Sequence, residues 1–560
     1  MRPRLFTPQL ILPSIIALSL TPTLAACSAT NETNVQTGGS GASGSGGSQG
    51  GGNTGGEVIG SGGQGGKPIV EDPKTCAEAA DSKSYVGCDF WPTVVDNIVW
   101  EQFDYAVVVA NAGTENANVT VTRNNMMVAQ DTVPPSSLKT LYLPWVSELK
   151  GTDSFLACTP TSIKLETVRV PGGAYHLTTD APVTVYQFNA IEYAGKGGPP
   201  GKDWSECNTF GCQSTGCFSF TNDASLLLPS TALTGNYRVT GMPRWLDTEN
   251  DPAFEYPPYV AITGVADNTM VSFKLSNTGN IAGGGGISTT GPGQTVTFPI
   301  NAGEVIEVVG GKNADLSGSL ITASQPVQVI SGIACSNVPN DVDACDHLEE
   351  SVFPAETLGK RYFVTVPTSH HGTKVQHVVR IYGNFDGTSL TYPGLNPGGP
   401  AQVQAGEVVD LGVVSEDFEV VGSQPFAVAS FQVGANAIDP GVPTNQQKGD
   451  PSLSLMTTVE QYRTKYVFLA PADYDVSFVD VVQPLTASLT LDGATPSGPV
   501  TPISSGFGIA RIQLGPGNGG AHVLTSTEPV GIQVIGYGTY TSYQYPGGLN
   551  LSEISIAPPK

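Results

Sequence analysis

The chain has 560 residues and a formal net charge of −24 at pH 7, an acidic surplus that excludes nucleic acid and anionic lipid headgroups as direct partners. Charged residues make up only 13% of it, so the acid is spread thinly and reads as solubility outside the cell. Beyond its N-terminal segments the chain is long enough for several domains, or for one repeat array with a sizeable core.

Arg2 and Arg4 precede an apolar stretch from Leu5 to Leu20, and Leu24-Ala25-Ala26-Cys27 comes next. Pro8 and Pro13 interrupt that stretch, which is also short of the roughly 20 residues a membrane span needs. Residues 1–26 therefore read as a lipoprotein signal peptide. Cys27 becomes the lipidated first residue, and its acyl chains are the only expected contact with a membrane. Ser28 directs the expectation to the outer membrane or cell surface rather than inner-membrane retention. Residues 27–74 form a Gly/Ser-rich linker: 16 of the 29 residues from Gly38 to Gly66 are glycine, too little apolar surface to offset ordering entropy. As a flexible coil the linker reaches about 35 to 40 Å.

Eight cysteines lie beyond Cys27, an even number that suits disulfides in an exported chain. Short loops favour Cys76 with Cys88 and Cys335 with Cys345. Cys158 is then expected to bond one of Cys207, Cys212 and Cys217, leaving the other two to pair. The spacing of that cluster fits no common zinc pattern, and no metal or other cofactor is expected.

From residue 75 onward the pattern is short β-branched or alternating runs, such as Tyr362–Val366, His377–Tyr382 and Phe426–Phe431, separated by Gly, Pro, Asn and Asp turns. The class is all-β. An x-x-Pro step leading into a valine-rich strand occurs four times, at Asp180-Ala-Pro182, Ser324-Gln-Pro326, Ser423-Gln-Pro425 and Thr527-Glu-Pro529. Each proline is expected at a strand entrance, where a missing N–H costs the ladder least. Gly303-Glu-Val305 and Gly406-Glu-Val408 recur upstream, and aromatic-led strands open three units at Tyr237, Tyr362 and Tyr466. The expected units are 75–195, 196–340 with a Cys-rich insertion, 341–440 and 441–560. A unit of about 100 residues suits a β-sandwich, so the prediction is a tandem array of about four sandwich-like repeats. A β-propeller built from double-blade repeats is the alternative.

Asp315-Leu-Ser-Gly-Ser319, the Ser324-Gln-Pro-Val327 strand, Ser331-Gly332, Cys335 with Cys345, and Asp346-His-Leu-Glu-Glu350 succeed one another in an order that resembles the N-terminal domain family of IgGFc-binding proteins. A weaker resemblance covers about 85–545. It implies an extracellular, non-catalytic module.

Asp341, Asp343, Asp346 and Glu349 form the densest run of hard oxygen ligands, but their spacing is not that of an EF-hand, and a disulfide-braced connector is expected rather than a Ca²⁺ site. His370, His371 and His377 read as a polar turn between strands rather than a transition-metal set. Trp204, in a Gly/Pro-rich loop, is the best candidate for an exposed ligand-binding aromatic. No His-Glu-x-x-His motif or supported nucleophile setting occurs. The reading is a non-catalytic surface adhesion or recognition module that binds an extracellular protein or glycan through loops. A self-associating structural envelope or matrix protein is the alternative, and a secreted hydrolase ranks third.

Overall fold

The computed structural model describes residues 72–151, 163–205, 207, 217–247, 254–443, 446–515 and 520–558. The signal segment, Cys27 and nearly all of the linker lie outside them, as do Cys158 and Cys212.

Four antiparallel sheets share one strand order. From the inside outward, the first runs Asp223–Leu227, His176–Asn189, Ala106–Asn111, Ser137–Tyr142, and the third runs Leu453–Leu455, Phe426–Gln432, His377–Gly383, Val408–Val414. The second and fourth begin at Asp346–Ser351 and Thr541–Pro546 and each add a fifth strand outside. The four innermost strands lie against one another in a closed ring. This is a four-blade propeller arrangement, and it overturns the expected row of tandem sandwiches. Each repeat does pack a second sheet against its blade, around private cores such as Val107, Val119 and Leu177 in the first repeat, or Ile262, Phe273 and Ile321 in the second. Beads on a string would stop there. Instead Tyr186, Ile333, Phe431 and Tyr543, one from each blade, belong to a single shared core. Nor are there two blades per repeat, as the double-blade alternative required, because the second sheet stacks on the blade instead of taking its own place around the axis.

The x-x-Pro step marks where the chain bends from the second sheet into the blade. In the first and fourth repeats the strand runs unbroken through the bend, as His176–Asn189 and Ala521–Gly538, so both layers form one seven-stranded sheet folded back almost into a barrel. Hydrogen bonds explain the recurrence. The residue two before each proline accepts a backbone N–H from the neighbouring strand or its approach: Asp180 from Asn118, Ser324 from Met270, Ser423 from Ser389 and Thr527 from Ser488, at 2.8 to 3.0 Å. The residue after the proline offers its carbonyl to the tyrosine that opens the unit: Tyr237 donates to Val327 at 2.6 Å, Tyr362 to Phe426 at 2.5 Å and Tyr466 to Val530 at 2.5 Å. The same hydroxyls accept the N–H of Thr234, Gly359 and Arg463, three residues upstream. Each such tyrosine satisfies two otherwise orphaned backbone groups in a buried corner.

Candidate binding site

The inner strands carry an unusual load of buried acid. Asp223, Asp346, Glu349, Glu350 and Asp450 are each no more than 1% exposed. Burial pushes Asp223, Asp346, Glu350 and Asp450 well above the usual carboxylate range; Asp450 and Asp223 raise Asp346 further, and Asp223 raises Glu350. Asp223, Asp346 and Glu349 tie the blades together. Asp223 Oδ2 accepts the N–H of Glu349 at 3.1 Å and of Leu453 at 3.0 Å, linking three inner strands through one oxygen. Glu349 accepts from Ser225 at 2.9 Å, from Gln187 at 3.3 Å and from Asn189 in the first blade. Thr541 donates to Asp346 at 3.1 Å from the fourth.

Of the four residues weighed as Ca²⁺ ligands, Asp346 and Glu349 therefore belong to the axial network, whereas Asp341 and Asp343 are exposed on the loop closed by Cys335 and Cys345. The structure does not bring the four together. Cys76 is bonded to Cys88 and Cys207 to Cys217; the expected bond of Cys158 to one of Cys207, Cys212 and Cys217 is thereby excluded for two of the three, and Cys158 and Cys212 themselves lie outside the described residues. Trp204 is half-buried, with its ring 5.3 Å from that of Phe103, its Nε1 donating to the Gly197 carbonyl at 3.0 Å, and Lys202 Nζ 5.1 Å from the ring centroid. His377 is wholly buried in the third blade against Ser430, away from the turn that carries His370 and His371.

A polar cleft of about 650 Å³ opens at the seam between the second and third repeats, lined by Arg238, Lys274, Asp315, Arg380, Gln404 and Glu407. The repeat turns build it. Gly318 and Gly406 meet there with φ of +79° and +76°, and a Cβ on Gly318 would lie 2.2 Å from the Gly406 carbonyl oxygen, so only glycine fits. Asp315 caps its own turn by accepting from Ser317 N at 3.0 Å and holds Arg380 Nη2 at 2.5 Å. Arg238 donates to the carbonyls of Gly318 and Asn384; burial lowers its pKa to about 10 against the pull of Asp386, and its Nε is buried without a partner. Sequence reasoning passed over both arginines. The available signal was a charge inside a β-branched run, Val378-Val-Arg380-Ile381.

A ring of blades pinned by buried acids, with a polar cleft at a seam, defines a mostly-β scaffold for binding rather than for bond breaking. Residues 223–536 match the model of the family described as IgGFc binding protein, and the chain belongs to that family as a non-enzymatic member. The match begins at the axial Asp223 and leaves out most of the first repeat, a narrower span than the 85–545 expected. The chain is also similar to the human IgGFc-binding protein, 28% identical over 330 residues that make up 58% of this chain and 6% of the relative. It thus spans only a small fraction of that protein's length.

Proposed function

We propose that the chain is an extracellular, non-catalytic adhesion module, anchored by lipid at Cys27 and held off the membrane by its glycine-rich tract, and that it builds a surface layer by associating with copies of itself. The observation that carries this reading is the strand Met126–Val133. Among the described residues it is the edge of the first repeat's second sheet and pairs on one side only, with Ala117–Arg123. Asn124 and Asn125, at φ of +50° and +61°, close that hairpin as the two left-handed residues of a tight turn. Met126 and Met127 come next, 67% and 65% exposed. An edge with free backbone groups and exposed apolar side chains is a template for pairing with another chain. The test is sedimentation velocity of the full chain over a concentration series, beside a Met126→Lys/Met127→Glu variant. Concentration-dependent dimers that the variant lacks support the proposal. A wild-type chain that stays monomeric throughout sinks it.

A second reading, selective recognition of an acidic protein or glycan, is favoured by the cleft at the second seam, where Arg238 has an unpartnered Nε. A glycan array and immunoglobulin Fc, the ligand class in the human relative's name, are the probes. Saturable binding weakened by Arg238→Gln supports this reading. Binding that ignores the substitution places any ligand elsewhere.

A further inference from the structure

The turn between Thr368 and Lys374 is closed by a bridge between those residues, by Ser369 N donating to the Thr373 carbonyl at 2.8 Å, and by Gly372 at φ of +76°. It presents two successive imidazoles, with the ring centroids of His370 and His371 3.9 Å apart. Facing them is Asp439, 4% exposed, which ends the short helix Ala435–Ile438. Its Oδ2 lies 3.1 Å from His370 Nε2 and its Oδ1 2.6 Å from His371 Nε2.

We propose that His370, His371 and Asp439 form a binding site for a divalent transition metal of the zinc class. One ligand atom from each residue can be chosen so that all lie within 4.8 Å of one another. Donor atoms around a tetrahedral zinc stand about 3.3 Å apart, at bond lengths of about 2.0 to 2.2 Å, so small movements bring these atoms to coordinating distance. Two imidazoles and one carboxylate are a borderline-soft donor set that suits zinc and its neighbours and not calcium. The side chains are held ready. Asp439 is nearly inaccessible, His370 packs edge-on against Tyr537 at 5.9 Å, and Tyr537 is fixed by donating to the Thr368 carbonyl at 2.9 Å. His370 Nδ1 and the neighbouring Ser369 Oγ are buried without a hydrogen-bond partner. The nearby cation, Lys448, is paired with Asp475, leaving the Asp439 carboxylate to the histidines. The His371 side chain is 55% exposed, which gives an ion a way in and leaves a solvent-facing position for water.

The test uses the full, oxidised chain, titrated with Zn²⁺ by calorimetry and with Co²⁺ by visible absorption. One equivalent of Zn²⁺ should bind, with a tetrahedral Co²⁺ spectrum, and His371→Ala should weaken binding at least tenfold while near-ultraviolet circular dichroism stays unchanged. Should that variant misfold, His371→Gln is the replacement, since its side chain is largely in solvent. No saturable binding by the wild type overturns the proposal. So does equal affinity in the wild type, His371→Ala and Asp439→Asn.

Discussion

Replacing Asp223 by alanine is the sharpest test of how the propeller is held shut. The wild-type carboxylate is fully buried and accepts three backbone N–H groups, from Ala224 at 2.9 Å in its own strand, from Glu349 in the second blade and from Leu453 in the third, across the axis. Alanine leaves those buried donors without their acceptor. A buried donor without a partner costs about 1 to 3 kcal/mol, and the two inter-blade amides alone bring the expected loss to about 2 to 6 kcal/mol. Burial pushes the group well above the usual carboxylate range, against the backbone N–H groups that it accepts. Asp223→Asn keeps an oxygen that can face Glu349 and Leu453, and should lose less. The assay is urea unfolding at 25 °C, paired with hydrogen exchange at the Glu349 and Leu453 amides. A loss under about 1 kcal/mol for the alanine variant, with exchange at both amides unchanged, would refute the claim that this carboxyl joins three blades.

Tyr362→Phe removes the hydroxyl that bridges Gly359 N and the Phe426 carbonyl; a loss of about 1 to 3 kcal/mol is expected, and a melting temperature equal to wild type would argue that the corner is merely filled space. Cys335→Ser with Cys345→Ser opens a loop of sequence separation 10, which on the chain-entropy estimate costs about 3 kcal/mol, read as a lower urea midpoint under oxidising conditions. Burial raises Asp480 to about 6, Asp96 to about 7 and Glu192 to about 8, against unfolded values near 4. The folded state therefore holds more protons there, and the stability these groups give below pH 4 is lost as pH rises through 6 to 8. His377, lowered to about 3 by burial and by Arg511, acts oppositely, but only below pH 6.5. The urea midpoint should fall between pH 6.5 and 8.5, and Glu192→Gln should flatten that fall; a midpoint that rises over this interval contradicts the sign.

The repeat was legible because its signature is local. Proline at the bend, the hydrogen-bonding residue two before it and the tyrosine that answers it lie on short segments whose chemistry each unit repeats. How the units assemble was not. Asp346-His-Leu-Glu-Glu350 reads as a solvated acidic connector, yet it is a buried inner strand. Polar side chains signal solvent unless their partners are known, and these partners, Ser225, Asn189 and Thr541, lie about 120 to 195 positions away. The same blindness hid the cleft, since Arg238 and Arg380 come from different repeats and meet only where two turns touch.

Strand exchange explains why a ring forms in place of a row. In the sequence Asp223–Leu227, Asp346–Ser351 and Leu453–Leu455 each open a unit, but in the fold each completes the blade before it as its innermost strand. A repeat taken alone would lack its inner strand and expose an edge at the axis, so every blade depends on the chain that comes after it. The fourth blade does not take its inner strand from a following unit. It is completed instead by Thr541–Pro546, paired to Ala521–Gly538 through a short turn, and the chain beyond runs back to the first repeat. There Tyr85 N donates to the Leu549 carbonyl at 3.2 Å and Leu551 N to the Lys83 carbonyl at 2.8 Å. Asn550 binds Arg463, whose guanidinium also meets Asp72 at 2.5 Å. Opposite ends of the described chain are thus held at one seam, which keeps the four inner strands against one another around the axis where the acids are buried.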